Sequence, residues 1–285
     1  MQLIIFLTKK IFAIAYTFVY MNFIDTHTHL YANAFDKDRE EVMKRALKAG
    51  LRRFYLPAID SETHDSMLEM ELSYPGVCIA MMGLHPCSVK ENFQEELDLV
   101  ENWLSKRDFA AVGEIGLDFY WSREFAAEQI NAFHTQIEWA LHKNLPIIIH
   151  TRQAIQETID IVKHYKGRGL KGIFHCFGDG YPQAKQIIDS GFLLGIGGVL
   201  TYKNSGLCET LKQVPLEAIV LETDAPYLSP VPFRGKRNES SYLLHIAQKL
   251  LDVYPISLEE IAVVTTANAL GIFAPGNSTG KSSSD

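Results

Sequence analysis

Apolar positions along the chain fall in short runs, separated by longer stretches in which apolar and polar residues alternate with helical spacing. The runs lie at residues 23–24, 53–56, 77–82, 109–113, 147–149, 172–174, 192–196 and 218–221. They are continuous rather than alternating, which suits strands covered on both faces, as in a parallel sheet wrapped by helices. Helical patterns lie between them, among others at 36–49, 125–142 and 154–165. The runs recur about every 20–35 residues, the size of one β/α unit. Eight such units in about 250 residues predict an α/β fold closed as a (β/α)8 barrel of the TIM type. An open doubly wound sheet is the alternative, but no Gly-x-Gly-x-x-Gly follows the first run to support it.

The two ends depart from this pattern. Residues 1–21 are mostly apolar, interrupted by Lys9 and Lys10, with bulky Thr17-Phe18-Val19-Tyr20 where a signal peptide wants small residues. The apolar stretch after the lysines is about ten residues, short of the roughly 20 a spanning helix needs. A signal or anchor and a real structural extension stay open. The favoured reading is an extension upstream of a true start at Met21. Residues 275–285, rich in Gly and Ser, have nothing to bury and read as a disordered tail. The barrel domain is therefore expected at 22–274.

Composition narrows the class. Of 285 residues 47% are hydrophobic and 21% charged, with 19 Gly and 11 Pro, which excludes a disordered, collagenous or coiled-coil chain. Cys78, Cys87, Cys176 and Cys208 lack CxxC spacing, so a disulfide-stapled secreted scaffold is disfavoured and a cytoplasmic location is expected. A net charge of −7 argues against a broad basic face gripping duplex DNA. It leaves room for an acidic pocket holding cations.

The chemistry sits where the apolar runs end. The first is followed by Asp25-Thr26-His27-Thr28-His29, the third by Gly83-Leu84-His85-Pro86, and the fourth by Glu114-Ile115-Gly116-Leu117-Asp118. The fifth leads into His150-Thr151-Arg152, the sixth into His175-Cys176-Phe177 and the eighth into Glu222-Thr223-Asp224. Barrel active sites lie at the C-terminal rim of the strands. In extended backbone, residues i and i+2 face the same side, so His27 and His29 can turn both imidazoles to one ion. Alone, that pair is weak, since polar residues at strand ends often only form hydrogen bonds. Together with Glu114, His150, His175 and Asp224 it predicts a divalent-metal site, because buried charge needs partners. Six ligands exceed one open tetrahedral site. Two cations per chain are therefore expected, from Mg²⁺, Mn²⁺ or Zn²⁺, with Glu114 the natural bridge.

These motifs, with Ala225-Pro226-Tyr227-Leu228, resemble the TatD family of metal-dependent deoxyribonucleases, among the amidohydrolase-like barrels, from about Phe23 to Phe273. The resemblance implies phosphodiester hydrolysis, often from DNA ends. It implies His27, His29, Glu114, His150, His175 and Asp224 as ligands, and His85 beside the scissile phosphate. Three positions depart from the family pattern: Thr151 in place of Ser, Gly178-Asp179-Gly180 in place of Ser-Gly, and Ser240 where Pro often follows Asn238-Glu239. None touches an expected ligand; they bear on loop shape and substrate preference.

Hydrolysing a phosphodiester needs an activated water and relief of charge on the phosphoryl oxygens. Glu114, Asp224 and His85 are the expected catalytic groups, with Asp224 both ligand and water-orienting base; pure ligation is its alternative. His85, Arg152, Tyr227, Arg234 and Arg237 are expected to face substrate, the last two from the dense basic cluster Arg234-Gly235-Lys236-Arg237. For His85 the alternative is a loop histidine turned by Pro86, and for Arg152 an exposed helix-start arginine. Phe119-Tyr120-Trp121 can stack an unpaired base or pack as a lid. His64, His134, His142, His164 and His245 read as surface or helix-packing residues. The expected partner is DNA, single-stranded or at chain ends, met by a monomer without stable membrane association. Two other readings compete: a related barrel hydrolase cutting a C–N or ester bond, and a non-catalytic metal-binding barrel.

Overall fold

Each of the eight apolar runs forms a strand in the computed structural model, which describes residues 22–274. The expectations for residues 1–21 and 275–285 lie outside the described residues. Strands and helices alternate as β1 (Phe23–Asp25), α1 (Arg39–Lys48), β2 (Leu51–Pro57), α2 (Ser61–Ser73), β3 (Cys78–Met81), α3 (Phe93–Lys106), β4 (Val112–Asp118) and α4 (Ala126–Lys143). There follow β5 (Ile147–Arg152), α5 (Ile155–His164), β6 (Gly172–Phe174), α6 (Tyr181–Asp189), β7 (Leu193–Ile196), α7 (Leu207–Leu211), β8 (Ile219–Leu221), α8 (Leu243–Leu250) and α9 (Leu258–Phe273). β4 starts later than its apolar run and continues through Glu114 to Asp118, so Glu114 lies within the strand rather than after it. Among the described residues no helix is long and apolar enough to cross a membrane.

All strand pairs are parallel, in two sheets of order β1-β2-β3 and β4-β5-β6-β7-β8. The sheets meet at two seams. At one, a parallel bridge joins Met82 to Val112, and the Gly113 amide donates to the Met82 carbonyl at 3.0 Å. At the other, the Thr26 amide donates to the Leu221 carbonyl at 3.0 Å. The strands thus run round in chain order, as an α/β barrel requires, with full ladders everywhere but the seams.

Two cores follow from the pleat. Ile24, Tyr55, Met81, Ala111, Ile148, Ile173 and Val220 meet inside the ring, joined by Ala269 and Ile272 of α9. The Phe273 ring stacks on Tyr55 at 3.6 Å. The alternate strand residues, such as Phe54, Ile147 and Ile149, pack outward against helices. Along the inward row, apolar residues give way to ionisable ones one step on: Ile148 to His150, Ile173 to His175, Val220 to Glu222. That exchange places the polar site at the C-terminal mouth of the ring.

Candidate metal centre

Glu114 is the hub. Its Oε2 lies 3.1 Å from His27 Nε2 and 3.8 Å from His29 Nε2. Asp224 Oδ1 joins that group at 3.7 Å from His27 Nε2 and 3.5 Å from His29 Nε2. The other oxygen, Oε1, lies 2.8 Å from His175 Nε2 and 2.9 Å from His150 Nδ1. Six side chains spread over nearly two hundred positions of sequence therefore form two groups that share one carboxylate. All are buried or nearly so, Glu114 being 2% exposed.

Their protons are assigned by what lies behind each ring. Tyr31 donates its hydroxyl to the Pro57 carbonyl, so it accepts from His29 Nδ1 at 2.8 Å, and His29 Nε2 is left with a lone pair. Asp118 Oδ2 takes the Nε2 proton of His150 at 2.9 Å, leaving Nδ1 as the lone pair. Glu222 Oε1 stands 3.4 Å behind His175 Nδ1, so Nε2 is the free nitrogen there. His27, Glu222 and His175 can also be grouped as a cation site. That grouping uses the backs of rings whose fronts face Glu114, and Glu222 reads better as the support that aims His175.

Lone pairs on several nitrogens therefore point at carboxylate oxygens, acceptor facing acceptor, in a buried place. Such an arrangement is repulsive unless positive charge lies between. Protons meet part of the need. Burial would lower His175, but Glu114 and Glu222 hold it well above the usual imidazole range. His150 is likewise raised by Asp118 and Glu114 against the effect of burial. Burial works to raise Glu114, yet His175, His27 and His85 hold it well below the ordinary carboxylate range. Cations bound by nitrogen and carboxylate oxygen at about 2.0–2.2 Å leave their ligand atoms about 3–3.5 Å apart, close to the separations here. The residues present fit divalent cations, which would displace the imidazole protons.

His85 can be grouped with Glu114 and His150 as a cation site, but its own hydrogen bonds suit another part. Its Nδ1 accepts from the Cys87 amide at 3.0 Å, and burial lowers its pKa. A neutral ring with Nδ1 as acceptor carries its proton on Nε2, which lies 3.4 Å from Glu114 Oε1. It is a donor at the mouth of the site. Arg152 is exposed and among the described residues makes no ion pair, while its guanidinium lies 3.6 Å over the Tyr120 ring. Tyr227, 52% exposed, meets the His29 ring edge-on at 5.9 Å, and Arg234 lies exposed over Tyr202 at 4.4 Å.

Arg237 is held differently from the other two arginines. Both its terminal nitrogens bind Asp38, each at 2.7 Å, one also reaches the Ala34 carbonyl at 2.7 Å, and its plane covers Phe35. Three of the five N–H donors of this guanidinium are thus taken within the chain, and it fastens the loop after β8 to the start of α1. Of the remaining histidines, His64 is buried in α2 and His134 bonds Tyr165 at 2.6 Å, as packing residues do.

Three supports carried no role in the sequence reading. Asp118 shares a strand face with Glu114 and Gly116, and that alternation, 114-116-118, is the signal that marks it. Asp25 accepts from the Thr223 amide at 2.9 Å and its hydroxyl at 2.6 Å, stitching β1 to β8. Burial pushes its pKa up to about 7. Glu222 accepts from the Cys176 amide at 2.6 Å, and a Cβ on Gly195 would sit 2.1 Å from its other oxygen, so only glycine leaves it room.

Known proteins similar to this chain include metal-dependent hydrolases and a nuclease. The family model for TatD related DNase matches residues 24–274. An uncharacterized metal-dependent hydrolase of Bacillus subtilis, YabD, is 36% identical over 250 residues, covering 87% of this chain and 98% of that one. The 3'-5' ssDNA/RNA exonuclease TatD of Erwinia tasmaniensis is 29% identical over 255 residues, covering 87% and 98%. Among solved structures, the TatD homolog YjjV of Escherichia coli superposes with a TM-score of 0.83 at 28% identity, covering 88% of this chain and 97% of that one.

Proposed function

Because this chain belongs to the TatD-related DNase family and is a metal-dependent hydrolase, we propose that it hydrolyses phosphodiesters, removing nucleotides from the ends of single-stranded DNA. The observation that carries the reading is the shared carboxylate: each oxygen of Glu114 serves a separate nitrogen group. The name of the Erwinia relative, an exonuclease on single strands, supports the choice of substrate. His27, His29 and Asp224 with Glu114 would hold one cation, and His150 and His175 with Glu114 the other. Bound there, divalent cations supply positive charge for the phosphoryl oxygens and make water a stronger acid.

The chain's own groups do the rest. Burial would raise Asp224, but His29, His175 and His27 hold its carboxyl below the usual range, so it is ionised at neutral pH. It orients the attacking water and accepts its proton as the new P–O bond forms. That proton then passes to the leaving oxygen. His85 donates a hydrogen bond from Nε2 to a phosphoryl oxygen, and its neutral form keeps that donor in place. Arg152, at the end of β5, meets the next phosphate, with Tyr227 and Arg234 supplied by the loop after β8. Four free cysteines among the described residues suit a reducing compartment, and we place the enzyme in the cytoplasm as a monomer.

The test restores Mg²⁺, Mn²⁺ or Zn²⁺ in turn to metal-depleted protein given end-labelled single-stranded DNA. Stepwise loss of terminal nucleotides is expected, with His27→Ala and His175→Ala losing both bound metal and activity. No release with any cation, or cuts confined to duplex interiors, would overturn the reading and favour a C–N or ester substrate.

A further inference from the structure

Phe119, Tyr120 and Trp121 follow β4 directly, and their burial separates them. Phe119 is packed, at 7% exposure, whereas Tyr120 is 46% and Trp121 71% exposed. Aromatic rings that close a lid would be covered, and these two are not. They are nonetheless held. The Tyr120 amide donates to Asp118 Oδ1 at 2.9 Å, and the Phe119 amide donates to the Arg152 carbonyl at 2.9 Å. The Arg152 guanidinium lies 3.6 Å over Tyr120 and 5.4 Å from the Trp121 ring, and the two rings meet edge to face at 4.8 Å. Arg152 itself stands two residues beyond His150 on the same side of β5, so the cluster adjoins the metal centre.

Asp118 ties the two together. One of its oxygens holds the backbone of Tyr120, and the other holds the ring of His150. An ordered aromatic pair in solvent, backed by a guanidinium and anchored to the reacting centre, has the makings of a single-strand platform. Flat faces receive any base, and the cation meets the phosphate beside it.

We infer that Tyr120, Trp121 and Arg152 form a stacking subsite for an unpaired nucleobase of the strand whose phosphodiester lies at the metal centre. The inference rests on the phosphodiesterase reading. It gives the enzyme tolerance of base identity together with a preference for unpaired ends, since a base in a duplex has both faces occupied by its neighbours.

The test compares metal-loaded wild type with Trp121→Ala and Trp121→Phe, on a short oligothymidylate and on the same oligomer made abasic. Trp121→Ala should raise KM for the base-bearing oligomer about 5- to 100-fold, the range for losing one stacked base, with kcat little changed. Metal content should stay at the wild-type level, and Trp121→Phe should restore KM. On the abasic oligomer wild type and Trp121→Ala should not differ. Equal KM values on the base-bearing oligomer, or an equal loss on both, would overturn the subsite. If wild type cleaves neither oligomer, the phosphodiesterase reading fails instead. Fluorescence then decides the subsite alone: oligothymidylate should quench wild-type emission and leave Trp121→Phe unchanged, and no quenching of wild type counts against it.

Discussion

Arg237 gives both guanidinium nitrogens to Asp38, whereas Arg152 makes no ion pair among the described residues. Both are arginines near the rim, and sequence treats them alike. The difference is measurable. For a single strand each neutralised phosphate adds about −0.7 to the slope of log affinity against log salt. Arg152→Ala should flatten the slope by about that amount. Arg237→Ala should leave the slope alone and lower the urea midpoint, since it leaves Asp38 unpaired. A flattened slope in Arg237→Ala would return that residue to the substrate face. Asp224 permits a second measurement. Asp224→Asn keeps the shape and one ligating oxygen but loses the proton acceptor. Turnover on single-stranded DNA should fall on the order of 10²-fold or more. Turnover near wild type would leave Asp224 no catalytic part.

Among the elements, β4 is the least legible in the sequence. Its apolar run points to residues 109–113, yet the strand is Val112–Asp118. A strand that carries ligands on its inner face breaks the apolar pattern where it matters most, because Glu114, Gly116 and Asp118 look like a loop. β5 shows the same effect more mildly: Ile147, Ile148 and Ile149 were legible, but the polar continuation to Arg152 was not. The six candidate ligands are legible because each lies at or just beyond the end of an apolar run. Their supports, Tyr31, Asp118 and Glu222, are not, since their partners are distant in sequence and only the closed ring brings them near. One such long-range contact yields a pH prediction. Arg45 of α1 binds Glu239 at 2.7 Å. Burial would raise Glu239, but Arg45 and Ser241 hold it below the ordinary carboxylate value. A depressed carboxyl stabilises the fold above its unfolded pKa, and that contribution is lost as pH falls through the folded value. Glu239→Gln should therefore cost stability at neutral pH, about 1–2 kcal/mol because Arg45 is half exposed. The difference from wild type should shrink in acid. A gap that stays constant from neutral pH down to pH 3 in urea titrations would contradict the assignment.

At the scale of the whole molecule, the two sheets are joined at their seams by few backbone contacts, and the site spans the gap. His27 and His29 follow β1 of the smaller sheet, while Glu114, His150, His175 and Asp224 belong to the larger one or its end. A cation held by His27 and His29 together with Glu114 and Asp224 would thus crosslink the two halves of the barrel. Any ligand that binds only the folded state stabilises it by about 2.7 kcal/mol at a hundred times its dissociation constant. For a domain of this size that corresponds to about 5–10 °C in melting temperature. Chelation should lower Tm by such an amount, and His29→Ala should melt at the same temperature with or without the chelator. An unchanged Tm on chelating wild type would mean that the cations do not brace the seams.

The stitch between Asp25 and Thr223 spans 198 positions in sequence. During synthesis this becomes a matter of time. The ribosome releases His29 early and Asp224 only 195 residues later (224 − 29 = 195). At about 5–20 residues per second that is an interval of roughly 10–40 s. Throughout it, the first pair of imidazoles has no carboxylate from β8 to complete its group. The carboxylate group at the mouth of the ring is therefore completed only when about four-fifths of the chain has been made, and the candidate metal centre is among the last features of the fold to form.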